Sequence, residues 1–550
     1  MSSNSIKEGI RGNILRVDLS NQKIWLDENE RYAQEWIGGR AVNSFILLEE
    51  LDPKTKWSDP ENLLIFGAGA LVGTPTPSAC RMSIETKNVF NNGKGSANVG
   101  GFFSAELKFS GFDHLVITGK SEMPVYLFLH QGRGELRDAS FLWGKTVSET
   151  EELLIKELSP LSIRVATIGP AGENRVKGAS IICDRAKVAG GSGVGCVMGD
   201  KKLKAIVVAG GERKIRLARP ERFFKALDTA LKKIRDSPLS EMMKRKTLAG
   251  RWTDFESPNW DFLISSRNGQ DDFWEIEKRR KLAHPEFGFP KYRKRISACF
   301  MCPIGCIPFS EIKEGPYAGT RGEGFWSNTI MDAARLDITD PEAMIHAWIL
   351  SNELGLDTDF ATGVCAWAFE CYEKEILTRK DTDGLELKWG LADSFIKLLW
   401  KIAYREGIGD LLAQGSKEAS KILGKGSEKF AIHVKGQDSI EPFRIPKGWA
   451  LGVCTSPVAG RHLRGSILDG SRFGPKNASF KAHTYEEKAK YVFWQSMTKE
   501  MEDMLGICVY VGTWSGAYAL EPSDYVDLTN SALGTDYSDC LLYTSPSPRD

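Results

Sequence analysis

"LKAIVVAGGERKIRLARPERFFKALDTALKKIRD", residues 203–236, changes its apolar spacing midway. Up to Gly211 it is a short apolar run closed by glycines, the pattern of a buried strand. From Arg219 onward the apolar residues recur three and four apart, the pattern of a helix with one buried face. The stretch between, "GGERKIRLARP" (210–220), reads as a domain boundary.

Working upstream, strand signals dominate. "NILRVDL" (13–19) alternates Leu15, Val17 and Leu19 with polar neighbours. "LLIFGAGALVG" (63–73), "RMSIETK" (81–87), "HLVITGK" (114–120), "VYLFLHQGRGELRDAS" (125–140) and "IRVATIG" (163–169) are short runs bounded by Gly or Pro. Helices are expected only around 29–51 and 148–158. Downstream the helix period persists through 340–357, 363–377 and 391–423, with a second boundary at "GKGSEKF" (424–430). The fold class is α+β: a sheet-rich N-terminal domain (1–213), then two mostly helical domains (214–428 and 429–539), with no repeat periodicity visible. The last eleven residues, "CLLYTSPSPRD" (540–550), break the pattern. Back-translated they resemble a sequencing-library adapter, so the natural chain is expected to be cut short near Asp539.

A 550-residue chain exceeds one hydrophobic core. Lys and Arg total 73 against 72 Asp and Glu, a net charge of +1 that offers no field for a nucleic acid backbone. No leader-like start and no stretch of about 18 apolar residues is present, so a soluble, cytoplasmic protein is expected. The eleven cysteines (80, 183, 196, 299, 302, 306, 365, 371, 454, 508, 540) are an odd count in a large chain without a leader, which argues against a disulfide framework. Most read as small buried hydrophobes. Seven histidines, none in an HxH or HxxxH pair, leave little for a histidine-held metal.

Sulfur is the candidate ligand instead. "CFMCPIGC" (299–306) places Cys299, Cys302 and Cys306 in one tight loop, closer to an iron–sulfur pattern than to the paired CxxC of zinc. Cys508, in "DMLGIC" (503–508), supplies a candidate fourth thiolate. Two glycine-rich segments, 91–108 and 186–206, could bring backbone N–H groups to phosphate or pterin oxygens; neither is a G-x-G-x-x-G or Walker loop. "NELGLD" (352–357) repeats the form of "DMLGIC": two helix-end turns able to grip one extended polar ligand from two sides. His462 stands between Arg461 and Arg464 in a Gly/Pro-rich loop suited to an anion.

Together with "GGFFSAELKFSGFDHLVITGK", "IGPAGENRVKGAS" and "GVGCVMGDKKLKAIVV", these segments resemble the tungsten-containing aldehyde:ferredoxin oxidoreductase family from about residue 10 to 539. The resemblance implies a tungsten (or molybdenum) bis-pterin beside a [4Fe-4S] cluster on Cys299, Cys302, Cys306 and Cys508, with Mg bridging the pterin phosphates. It places Arg81, Asn98, Gly100, Lys187, Gly190, Asn352, Gly355, Asp357, Arg464, Asp503 and Ile507 at cofactor-binding positions. It further implies aldehyde oxidation, ferredoxin or another iron–sulfur subunit as electron partner, and a homodimer. His462 is the candidate for proton transfer or carbonyl polarisation, and Glu323 the second.

The sequence departs from the family at several points. Lys187 and Gly191 stand where members often carry arginines, Asn352 replaces the first Asp of D-x-x-G-L-D, and Val458 replaces an Arg. The E-G-P-E-Y-E type segment reads "GEGFWSN" (322–328), with Glu323 out of register and Trp326 and Ser327 near the expected acid. Two alternatives follow. One is a tungsten-dependent reductase resembling class II benzoyl-CoA reductase, against which counts the absence of a cysteine between Cys306 and Cys365. The other is a cluster-only electron-transfer protein.

Overall fold

The computed structural model describes residues 13–211, 213, 215–237, 264–324, 326–468, 480–512 and 519–538. The adapter-like tail lies outside them, as do the side chains of Trp326 and Ser327. The N-terminal part carries two six-stranded mixed sheets. The first holds β1 (Asn13–Asp18), β2 (Lys23–Glu28), β3 (Leu64–Ala68), β4 (Met82–Lys87), β5 (Lys94–Val99) and β6 (His114–Thr118), in the order β2-β1-β6-β3-β4-β5. The second holds β7 (Val125–His130), β8 (Arg133–Asp138), β9 (Ile163–Thr167), β10 (Ile181–Cys183), β11 (Lys187–Ala189) and β12 (Leu203–Ala209), in the order β11-β10-β9-β12-β7-β8.

These orders are the same order advanced by six strands. The strand senses match as well: β1·β6 and β7·β12 are the parallel pairs, and every other neighbour is antiparallel. The domain is therefore an internal duplication, which corrects the expectation of no repeat. The sequence hides it because a strand needs only alternation or an apolar run, and both are degenerate.

Burial explains the strand signals. Leu15, Val17 and Leu19 enter the main apolar cluster, whereas Ile14 packs on the opposite face with Val42 and Ile46. β12 is buried on both faces: Ile206 and Val208 join the main cluster, Ala205 and Val207 a second one with Leu154. The single helix expected over 29–51 is broken into Glu30–Trp36 and Gly39–Glu50. Gly39 has φ +51° at the break, and a Cβ there would strike the backbone oxygen of Asp503. Helices at Phe103–Phe109 and Val194–Asp200 fall within or beside the glycine-rich segments, where apolar periodicity is too short to signal them.

Beyond Pro220 the described residues are mainly helical, with two small sheets among the helices, the smaller pairing His433–Val434 with Gln437–Asp438. The larger has three strands, β13 (Arg293–Ser297), β14 (Ile307–Glu311) and β15 (Arg321–Glu323), and the cysteine loop is the connection between β13 and β14. No helix among the described residues is long and apolar enough to cross a membrane.

Two helix ends fasten this half to the duplicated sheets. Helix Pro341–Leu354 ends at Gly355 (φ +72°) and helix Lys488–Leu505 at Gly506 (φ +81°), both left-handed C-caps. After Gly506, Cys508 N–H donates to Ser78 O (3.1 Å) and Gly506 O accepts from Arg81 N–H (2.9 Å). After Gly355, Asp357 N–H donates to Gly178 O (2.9 Å) and Gly355 O accepts from Ser180 N–H (2.8 Å). The repeated turn seen in the sequence thus docks one copy on each half. Gly69 abuts the Gly506 backbone and Gly169 abuts Leu354 and Gly355, leaving no room for a Cβ at either.

Buried charge reinforces the first joint. Asp503 pairs with Arg464 and Lys499 and lies 3.7 Å from Arg40, which also pairs with Glu500. Burial alone would raise the Asp503 carboxyl, but these cations hold it below the usual carboxylate range.

Gly69→Ala and Gly169→Ala are each expected to cost about 1–3 kcal/mol by overpacking, read from guanidinium unfolding. Asp503→Ala leaves buried cations without their counter-charge and is expected to cost about 3–5 kcal/mol. Because the folded pKa of Asp503 lies below its unfolded value of about 3.9, its contribution is full above that pH and is lost as pH falls toward the folded value. The wild type should therefore lose more stability than Asp503→Asn on acidification below about pH 4.

Candidate active site and metal centre

Both helix-end turns, the cysteine loop and the His462 loop open on one cavity of about 350 Å³. Left-handed residues Met301 (φ +49°) and Gly305 (φ +65°) tighten the cysteine loop. Two backbone bonds pin it to the first sheet: Ser78 N–H to Met301 O (2.8 Å) and Phe300 N–H to Gly101 O (3.1 Å). Cys299, Cys302, Cys306 and Cys508 consequently line the same end of the cavity. Among the described residues no three Cys, His, Asp or Glu side chains converge as they would around a single ion. Four thiols facing a shared space are a soft donor set, the ligand type of iron–sulfur clusters.

Arg81 leans on this end, its Nη2 donating to Cys508 Sγ at 3.0 Å. Cys80, expected to be a buried hydrophobe, also lines the cavity and donates its thiol to Cys299. That bond, aided by Lys187 and Arg81 against burial, holds the Cys299 thiol below its ordinary value, at about 6. Burial pushes Cys306 and Cys508 upward.

The adjoining wall is polar. Asn98, Gly100, Lys187, Gly190, Asp357 and Arg464 all line it. Asn98 Nδ2 donates to Asp503 Oδ1 (3.0 Å), and Arg464 to Ser96 Oγ (2.9 Å) and to Asp503. Asn352, Gly355, Asp503 and Ile507 do not line the cavity; they shape the turns behind it. Ile507 does so through its bridge with Ala79, and Asn352 through a bond to Glu323 O (3.3 Å).

Two departures from the family find spatial answers. At Gly191 a Cβ would meet Arg461 Nε at 3.1 Å, so an arginine from the His462 loop fills the space a side chain there would take. Arg461 then pairs with Asp357 (2.5 Å) and Asp359. Lys187 pairs with Glu323, the lysine reaching from β11 to β15. Burial, with Asp357 and Glu441 adding to it, lifts the Asp359 carboxyl to about 6 against Arg461.

His462 lines the cavity, yet its Nδ1 turns away, to Glu441 Oε1 at 2.5 Å. Burial would lower the imidazole, but Glu441 and Asp359 raise it above its ordinary value. Glu441 was not singled out in the sequence, where "SIEPF" (439–443) carries no motif; only its contacts identify it.

Among the described residues, Ser78 Oγ and Asn352 Oδ1 are buried beside the cavity without a hydrogen-bond partner. Gly100 and Gly190 keep side chains off the wall, where a Cβ would lie 3.1 Å from Cys299 Sγ and 2.7 Å from Asp357 Oδ2. Open backbone, unspent polar groups and paired charges fit an extended, polar, anionic ligand lying across both halves.

The comparisons with known proteins agree with this geometry. Residues 14–210 match the family model "Aldehyde ferredoxin oxidoreductase, N-terminal domain", and 225–545 the model for domains 2 and 3 of the same family. The tungsten-containing aldehyde ferredoxin oxidoreductase of Thermococcus kodakarensis is 34% identical over 534 residues, spanning 96% of this chain and 85% of that one. The WOR-like subunit of an aliphatic sulfonate oxidoreductase of Pyrococcus furiosus is 31% identical over 446 residues, 77% of this chain and 70% of that one. Among solved structures, the active-site complex of a benzoyl coenzyme A reductase with a dienoyl-CoA superposes with a TM-score of 0.85 at 26% identity, over 98% of this chain and 87% of that one. The chain, sheets and turns included, belongs to the aldehyde ferredoxin oxidoreductase family.

Proposed function

We propose that the protein oxidises a small aldehyde to a carboxylic acid at a tungsten (or molybdenum) bis-pterin, with a [4Fe-4S] cluster relaying electrons to ferredoxin or another iron–sulfur partner. The observation that carries this reading is the single cavity in which four thiols, a polar glycine-lined wall and a half-buried histidine face one another. When bound, the two cofactors supply two-electron chemistry at the substrate carbon and one-electron transfer outward. Cys299, Cys302, Cys306 and Cys508 would hold the cluster, and Arg81, against Cys508 and beside Gly100, would supply a cation at that end of the cavity. Asn98, Lys187, Gly190, Asp357 and Arg464 would hold the pterins, with Asn352, Gly355, Asp503 and Ile507 setting the turns; Mg would serve as counter-ion to the pterin phosphates. A cytoplasmic homodimer is part of the same proposal.

The net reaction takes one aldehyde and one water to the acid, two protons and two electrons. The chain's own share lies with the protons and with exclusion of bulk water. Ile330, Met331, Trp348, Leu356 and Trp449 give the cavity an apolar side where an aldehyde's tail can rest. His462 offers Nε2 on the cavity side, because Nδ1 is engaged by Glu441, and holds or passes the proton there. Glu323, bound to Lys187, is the weaker candidate for that role.

The superposition on benzoyl coenzyme A reductase favours a second reading, a tungsten-dependent acyl-CoA or carboxylate reductase. A cluster-only protein leaves the cavity beyond the cysteines without an occupant.

Anaerobic expression in a tungsten-incorporating host tests these readings together. Tungsten and about four irons per chain with aldehyde-dependent viologen reduction is the expected result. Cluster-loaded protein without tungsten or molybdenum would overturn it. Cys508→Ser should lower the iron content, and His462→Ala should cut turnover by about a hundredfold with both metals retained. Full turnover in His462→Ala removes the histidine from the mechanism.

A further inference from the structure

In "GEGFWSN" the family's acid is displaced, and the nearest substitute, Glu323, is committed to Lys187. A different segment brings a carboxylate to the histidine. Glu441 is 3% exposed and lines a smaller cleft beside the main cavity, so it approaches His462 from behind. Its Oε1 lies 2.5 Å from His462 Nδ1. Its Oε2 accepts from Trp449 Nε1 at 2.8 Å. The Trp449 ring in turn stacks on the imidazole, centroids 4.9 Å apart and planes 20° from parallel.

One carboxylate thereby fixes the imidazole twice, at its edge directly and at its face through the indole. The direct bond sets which nitrogen is turned from the cavity; the stacked indole sets the plane of the ring. Little rotation of His462 is left, which is the condition for efficient proton transfer at a fixed distance.

We propose that Glu441 is the positioning carboxylate of this active site, taking the place of the missing family acid and holding His462 with Nε2 toward the cavity as a proton donor to a carbonyl or carboxylate oxygen. The inference rests on the proton role given to His462 above. The charges facing the ring are Glu441 and Asp359, which raise its pKa, and Arg461, which lowers it together with burial. Arg335 faces Glu441 from the far side of the small cleft. Glu441 itself is held ionised below the ordinary glutamate value, the His462 and Arg461 charges outweighing its burial. Removing its charge leaves Asp359 alone against burial and Arg461, so the imidazole value should fall.

Glu441→Gln keeps the size of the side chain and an oxygen for Trp449 while deleting the charge. In the metal-loaded enzyme, ethoxycarbonylation of His462 by diethyl pyrocarbonate, followed peptide by peptide across pH, reads the imidazole directly. The midpoint of that profile should move down by about one pH unit in Glu441→Gln and by less in Glu441→Asp. Turnover should fall about tenfold or more in Glu441→Gln, with KM little changed and tungsten and iron contents as in the wild type. An unchanged His462 midpoint in Glu441→Gln overturns the proposal, whatever the turnover. If Glu441→Gln does not accumulate as folded enzyme, an unchanged midpoint in Glu441→Asp overturns it equally. A shifted midpoint combined with full turnover in His462→Ala separates the two claims: Glu441 positions the ring, and the proton role of the ring is what fails.

Discussion

The molecule depends on two backbone joints. At each, a helix ending in a left-handed glycine lays its next residues antiparallel to a segment that leads into a sheet: Ile507 against Ala79, Leu356 against Ala179. The partners at the first joint are more than 400 positions apart in the chain, and two backbone hydrogen bonds carry the pairing, which sets Cys508 opposite the cysteine loop. Such a joint tolerates no extra atom, because the opposing backbone is in contact at Gly69 and at Gly169. Glycine is required there for closeness, not for flexibility.

The joints also explain where the charges are. Opposed sheets and helix ends bury these charges, and buried ions must be paired to be tolerable. At the first joint Arg40, Arg464 and Lys499 surround Asp503, and Arg40 also pairs with Glu500. At the second Arg461 lies between Asp357 and Asp359. In both, cations from the His462 loop bind the acids of a helix-end turn, so the loop carrying the histidine is held by the same contacts that close the cavity. Its position is set by its own two arginines, Arg461 reaching one turn and Arg464 the other.

Much of this was legible beforehand, and the limits have physical reasons. The α+β class followed from apolar spacing alone, since period two and period 3.6 are distinct even in one sequence. The paired turns were visible as "NELGLD" and "DMLGIC", because a glycine C-cap leaves a fixed local signature. The duplication behind them was not, because its two copies share strand order and backbone contacts while their side chains differ. The β13–β15 sheet escaped because its strands are short and charged, as in "RKRIS". Glu441 escaped for a deeper reason: a buried carboxylate is recognised by what it touches, and His462 and Trp449 reach it only through the fold.

The duplication gives the proposed chemistry a division of labour. The equivalent positions of the two turns carry different side chains, Cys508 in one and Asp357 in the other. Cys508 faces the cysteine loop with Arg81 at its sulfur, a site built from soft ligands and one cation. Asp357 faces Arg461, whose loop neighbour is His462, a site built from oxygen and nitrogen groups that exchange protons. On the proposed reading, electrons leave by the first half and protons by the second, with the substrate carbon between them. A displaced acid in "GEGFWSN" is then tolerable, because the proton side of the cavity is organised by the second turn and the His462 loop, to which Glu441 belongs in space though not in sequence.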